Sequence, residues 1–240
     1  MNRDYLKRFP SQLIEQRPTE CVGETVADII GNIERIPCDA GFSYAAALRI
    51  AGQIPTTAGS DPYSGMLSSV VYGALPTENE PFDAATTSEL YEANIANYGA
   101  SGLLLAKNFT QPGVLQFYSY SGISNYLSTY NMGVQLGLRW YESFNTPNQD
   151  GTLPPPSGQF TEHCVAVYED TDKGLRIKPW LGPSYGDGGY AYLSEASFNL
   201  VFQDASGFDQ NAYRWTSLVK ILLPRWYLFS DVWPQLKPGS

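Results

Sequence analysis

Over residues 21–36 the sequence CVGETVADIIGNIERI places Val22, Val26, Ile29, Ile30, Ile33 and Ile36 three or four residues apart. That period gathers the apolar side chains on one face of a helix. Thr19 is the expected N-cap and Pro37 the expected stop. Similar patterns predict helices over 42–51, about 64–72 and 88–98. Gly52, Pro55 and Gly59 mark a loop after the second, while Gly73 and Pro76 close the third. The Pro/Asp/Glu-rich stretch 76–87 reads as irregular chain.

Past about residue 110 the pattern shortens its period. Segments 116–118 and 134–140 alternate β-branched or aromatic residues with polar ones, which favours strands. Further strands are expected at 163–169, 175–178, 190–193 and 215–223, and 145–158, with four prolines, is a surface loop. Helices followed by strands predict an α+β protein, with a helical lobe over 1–110 and a β-rich lobe over 111–240 forming one compact unit.

Composition narrows the function. The 240 residues hold 15 Lys+Arg against 24 Asp+Glu, a net charge of −9, so no basic face is expected for nucleic acid or an anionic membrane. With 43% hydrophobic and 16% charged residues the chain is expected to fold. No run of 18 apolar residues occurs; the apolar stretch at 221–223 stops at Pro224. The opening MNRDYLKRFPSQLIEQ is charged and lacks the apolar core of a secretion signal. A cytoplasmic or virion-associated protein is the resulting expectation. Three cysteines without a CxxC pair, and a single histidine without a carboxylate cluster, predict neither a disulfide framework nor a metal site, and no cofactor is expected.

Chemistry concentrates at two positions. Cys21 opens the first helix, where unpaired N–H groups and the helix dipole favour a thiolate. The N–H of Cys21 is also placed to meet an oxyanion, with the Gln16 side-chain amide upstream as a second donor. His163, the only histidine, begins the strand HCVAVYE, and an imidazole brought beside a thiol activates it. A packed, inert cysteine at a helix start is the plain alternative. Cys164 should face away from His163 into the core, Cys38 should be structural, and Asp187, within SYGDGGY, should form a turn.

Three segments, IEQRPTECVGETVADI, EHCVAVYED and KPWLGPSYGDGGY, resemble in order and spacing the papain-like cysteine peptidases, in their bacterial or phage-type form without a prosegment. Two intervening stretches, DPYSGMLSSVVYGALPTENEPFD and GLRWYESFNTPNQDGTLPPPSG, extend the similarity over residues 12–193. The resemblance implies a two-lobed papain-like fold and peptide-bond hydrolysis, with Cys21 as nucleophile, His163 as general acid and base, and Gln16 at the oxyanion hole. Gln16 lies five residues before Cys21, where the family usually has six.

Two positions depart from the family. Its catalytic Asn aligns with Pro179, and no Asn, Asp, Gln or Glu occurs between residues 173 and 185. An acceptor for the imidazole must then be a backbone carbonyl, a water or another segment. The tryptophan that covers this contact in the family is also displaced, with Trp180 one place early and Leu181 in the aligned position. Glu20 and Glu24 flank Cys21 and oppose a thiolate. The alternative is therefore an inactive papain-like fold serving as a structural or binding component of a larger assembly such as a phage virion, with the tail YLFSDVWPQLKPGS as a candidate partner contact. The expected partners are a peptide or protein substrate in the first case and assembly proteins in the second.

Overall fold

The computed structural model describes residues 20–56, 59–79, 81 and 88–209. Thr19, Gln16, the strand expected at 215–223 and the C-terminal tail lie outside the described residues.

The chain opens with α1 (Cys21–Glu34), α2 (Ala40–Ile50) and α3 (Pro62–Val71). α1 ends before Pro37 can stop it: Arg35 turns left-handed at φ 61 and the Ile36 N–H bonds back to the Gly31 carbonyl at 3.2 Å. Aspartates start the next two helices. The Asp39 carboxylate accepts the Phe42 N–H, and that of Asp61 accepts the Ser64 N–H at 2.8 Å with Pro62 at the first helical position. Close approach of these helices requires glycine. A Cβ on Gly23 would come 2.3 Å from the Ala40 carbonyl oxygen, and one on Gly65 would come 2.4 Å from the Val22 side chain.

The helix expected over 88–98 is broken. The short α4 (Glu89–Glu92) is followed by a 3-10 turn at Ile95–Tyr98, because the Asn94 side chain accepts the Ala96 N–H at 3.1 Å and restarts the chain there. α5 (Gly99–Ala106), which the pattern did not predict, follows.

The second half builds a six-stranded antiparallel sheet from β1 (Val114–Phe117), β2 (Val134–Tyr141), β3 (Phe160–Thr171), β4 (Gly174–Lys178), β5 (Ala191–Leu193) and β6 (Phe202–Phe208), in the order β1-β6-β2-β3-β4-β5. With the helices this makes an α+β fold. Two more helices escaped the sequence pattern. α6 (Tyr120–Tyr130) consists largely of Ser, Tyr and Asn, weak helix formers, and is held by Ser119 accepting the Gly122 N–H and by burial of Ile123, Tyr126 and Leu127. α7 (Glu195–Val201) is capped by Ser194 and buries Phe198 and Val201. β6, whose sequence FQDASGF lacks β-branched residues, is a strand because β1 and β2 pair with it from both sides.

The sheet has two faces of different character. Leu136, Leu138, Val165, Val167, Leu175 and Ile177 form an apolar core with α6 and α7. On the other face Cys164, Ala166 and Tyr168 pack against Val22, Val26, Ile29 and Ile30 of α1 and Met66 of α3. The amphipathic pattern of residues 21–36 is thus satisfied by the sheet and α3 together.

Candidate active site

Cys21 is the first residue of α1 and is half-buried. Glu20 takes the N-cap position, with its own side chain buried and making no capping bond. The first-turn N–H groups therefore remain available near the thiol. Backbone groups of Cys164, Val22 and Cys21 itself each act to lower the pKa of the Cys21 thiol. Burial outweighs them and raises the thiol above its ordinary value. Cys164, the largest of the lowering contributions, directly follows His163 in the chain.

His163 lies on β3 opposite Leu138 of β2. Its ring packs edge-on against Trp140, with centroids 5.1 Å apart and planes at 75°. Its Nε2 is 2.9 Å from the Pro179 carbonyl oxygen. A carbonyl can only accept, so Nε2 carries the proton and Nδ1 keeps its lone pair. The residue at the family's Asn position thus supplies an acceptor from its backbone where its side chain cannot. Burial pushes the His163 pKa down to about 4, while the bond to Pro179 pulls the other way. At neutral pH the ring is uncharged and the Cys21 thiol is protonated.

The two sides of Pro179 are tied to α1. Thr25 Oγ1 donates to the Cys164 carbonyl at 3.4 Å and accepts the Trp180 indole N–H at 3.0 Å. Asp28 forms an ion pair with Lys178 at 3.1 Å, and the Lys178 side chain is only 1% exposed. The Tyr168 hydroxyl donates to the second Asp28 oxygen and accepts from Asn32 Nδ2 at 3.1 Å. Asn32 also bonds the Asp28 carbonyl at 2.8 Å. Cys21, Thr25, Asp28 and Asn32 are four, three and four residues apart, so they form one polar stripe along α1. The sequence reading credited the apolar stripe alone. The signal for the polar one was available: four polar or reactive residues at helical spacing inside an otherwise apolar segment.

The remaining candidates separate. Gln16 lies outside the described residues. Cys164 faces α1, is buried, and receives the Gln135 side-chain N–H at its sulfur at 3.1 Å. Cys38 donates to the Ile36 carbonyl at 3.7 Å, and burial with Glu34 and Asp39 nearby pushes its pKa to about 12. Asp187 sits in a turn between left-handed Gly186 and Gly188 and accepts the Tyr192 hydroxyl at 2.6 Å. Trp180 turns toward Thr25, and the aromatic ring against His163 is that of Trp140. Asp204 was not anticipated. Burial, followed by repulsion from Asp61, raises its carboxyl to about 6. Its side chain occupies the space above Gly137, where a Cβ would come 2.0 Å from Oδ1. Among the described residues no three of His, Cys, Asp and Glu gather as a metal site, and no helix is long and apolar enough to cross a membrane.

Solved structures reproduce this arrangement of helices and sheet. Xylellain, a cysteine protease from Xylella fastidiosa, is 17% identical at a TM-score of 0.69, covering 84% of this chain and 83% of that one. The protein has a papain-like fold. A cysteine protease of Carica candamarcensis in complex with E-64 is 12% identical at a TM-score of 0.62, over 87% of this chain and 96% of that one. The bromelain protease of Ananas comosus, also in complex with E-64, is 12% identical at 0.60, over 82% and 92%. No family model matches the papain-like chain, and no curated protein matches it. At these identities the similarity lies in the fold.

Proposed function

We propose that this papain-like chain is a cysteine peptidase in which Cys21 is the nucleophile and His163 the general base and acid, working between lobes 1–110 and 111–240. The observation that carries the reading is the 2.9 Å bond from His163 Nε2 to the Pro179 carbonyl. It leaves Nδ1 as the proton acceptor on a ring one residue before Cys164, whose backbone acts to lower the pKa of the Cys21 thiol. A peptide substrate is the matching partner.

The chemistry starts from a neutral pair. As the Cys21 sulfur bonds to the scissile carbonyl carbon, its proton passes to His163 Nδ1, and the carbonyl π electrons move to oxygen. First-turn N–H groups of α1, with the Gln16 amide as second donor, stabilise that oxyanion. When the oxyanion collapses, the C–N bond breaks and the imidazolium returns its proton to the leaving amine, leaving a thioester on Cys21. Water then attacks the thioester, with His163 taking a water proton and passing it to the departing sulfur. Because the pKa of His163 is depressed to about 4, the ring stays uncharged at pH values where an ordinary imidazole would carry a proton, and it takes the thiol proton only as sulfur bonds to the carbonyl carbon.

A second reading, an inactive fold that docks into a larger assembly, is favoured by the burial that keeps Cys21 protonated and by the buried Glu20 next to it. E-64 separates the two. The peptidase reading predicts one adduct per chain, on Cys21 and not on Cys38 or Cys164, together with hydrolysis of a peptide library. His163→Ala should lower kcat/KM about 10²–10⁴-fold. Absence of both adduct and hydrolysis in folded protein contradicts the peptidase reading and leaves the assembly role.

A further inference from the structure

We propose that the Thr25–Trp180 hydrogen bond and the Asp28–Lys178 ion pair form a clamp that holds the Pro179 carbonyl against His163, so that α1 supplies the ring's orientation as well as the thiol. The clamp rests on the peptidase reading for its purpose, though not for its geometry.

Proline offers no side-chain acceptor, and a carbonyl just past the end of β4 has no fixed direction of its own. Here both neighbours are anchored to a single helix. On one side Lys178 Nζ lies 3.1 Å from Asp28 Oδ1; on the other the Trp180 indole N–H lies 3.0 Å from Thr25 Oγ1. The anchors Thr25 and Asp28 lie four and seven residues along the same stripe that begins at Cys21, so the sulfur and the carbonyl share one rigid support. Lys178 also lies 4.1 Å from the centroid of the Trp180 ring, joining the two anchors across Pro179. Trp180 itself has φ 62, a left-handed backbone that a bulky residue adopts only when its surroundings impose it. That turn carries the chain from Lys178, facing α1, past Pro179 and back to α1. Thr25 completes the frame by donating to the Cys164 carbonyl, which fixes the strand that carries His163 to the same helical turn.

These are positioning residues, acting on His163 through Pro179. Replacing Asp28 removes a charge from beside a buried lysine and can unfold the chain, so Thr25→Val, which keeps the shape and removes the oxygen, is the primary variant, with Thr25→Ser as the conservative control. The single histidine makes the ring directly observable by NMR. In the wild-type protein the Nε2–H proton should be visible and protected from solvent exchange. Thr25→Val should speed that exchange at least tenfold and lower kcat about tenfold with KM little changed, while Thr25→Ser retains both. A ring N–H equally protected in Thr25→Val overturns the clamp. Loss of protection in Thr25→Val alongside an inactive wild type supports the clamp and refutes the peptidase reading instead.

Discussion

The two faces of the sheet solve different problems with the same strands. One is mostly apolar: Leu136, Leu138, Val165, Val167 and Ile177 meet Phe198 of α7 and Leu127 of α6, and His163 packs on its Trp140. It stabilises by area removed from water and specifies little beyond packing. The opposite face admits Gln135, Tyr168 and Lys178 among its buried residues and pairs two of them with the polar stripe of α1. Buried polar groups contribute less net stability than apolar ones, but their bonds have direction. Direction is what a thiol, an imidazole and a carbonyl acceptor require of one another.

That contrast can be broken by substitution. The largest stability effect is expected from Asp28→Asn, which removes the Asp28 carboxylate from Lys178 at 1% exposure and should cost about 3–5 kcal/mol in urea unfolding. Adding Lys178→Met to it should restore much of the loss, because the pair is then replaced by neutral groups. On the apolar face Leu136→Ala should cost about 2–5 kcal/mol. Its signature differs: whatever folded protein remains should keep the reactivity of Cys21, since Leu136 touches the other core. Tyr168→Phe removes the hydroxyl that links Asp28 to Asn32 and should cost about 1–3 kcal/mol.

Titration sharpens the comparison with smaller effects of opposite sign. His163 has its folded pKa depressed from 6.5 to about 4, so the unfolded chain binds a proton first as the pH falls. Its contribution to stability is present above pH 6.5 and is lost progressively as the pH drops toward 4. Asp204 has its folded pKa raised from 3.8 to about 6, so its ionisation destabilises the fold as the pH rises through that window. Asp204→Asn should therefore raise the unfolding midpoint at pH 7 and do less at pH 4. A midpoint unchanged at pH 7 would contradict the raised carboxyl. If activity is limited by the neutral ring, kcat/KM should lose its acid limb near pH 4, the pH at which His163 gains its proton.

The apolar periodicity of residues 21–36 was legible because a helix wedged between a sheet and two helices must show its buried stripe in the sequence. Strands β2 to β5 were legible for the same reason at period two. α6 and β6 were hidden, because Tyr120–Tyr130 and Phe202–Phe208 take their structure from neighbours rather than from propensity. At the site, the positions of Cys21 and His163 could be marked from a helix start and a solitary histidine. The acceptor behind His163 could not, since a backbone carbonyl leaves no trace in residue identity. Proline at 179 signalled a missing amide side chain, and only the fold showed that its own carbonyl faces the ring. The expected weakening of the thiolate has a different origin as well. The pKa of Cys21 is raised by burial, a property of packing that no neighbouring residue in the sequence announces.

The rate of Cys21 alkylation by iodoacetamide, followed by mass spectrometry at neutral pH in the wild-type protein and in His163→Ala, tests the central claim most directly. A working pair predicts that Cys21 reacts faster than Cys38, and that His163→Ala slows it at least tenfold without unfolding the chain. Equal rates in the two proteins would mean that the imidazole does nothing for the Cys21 sulfur.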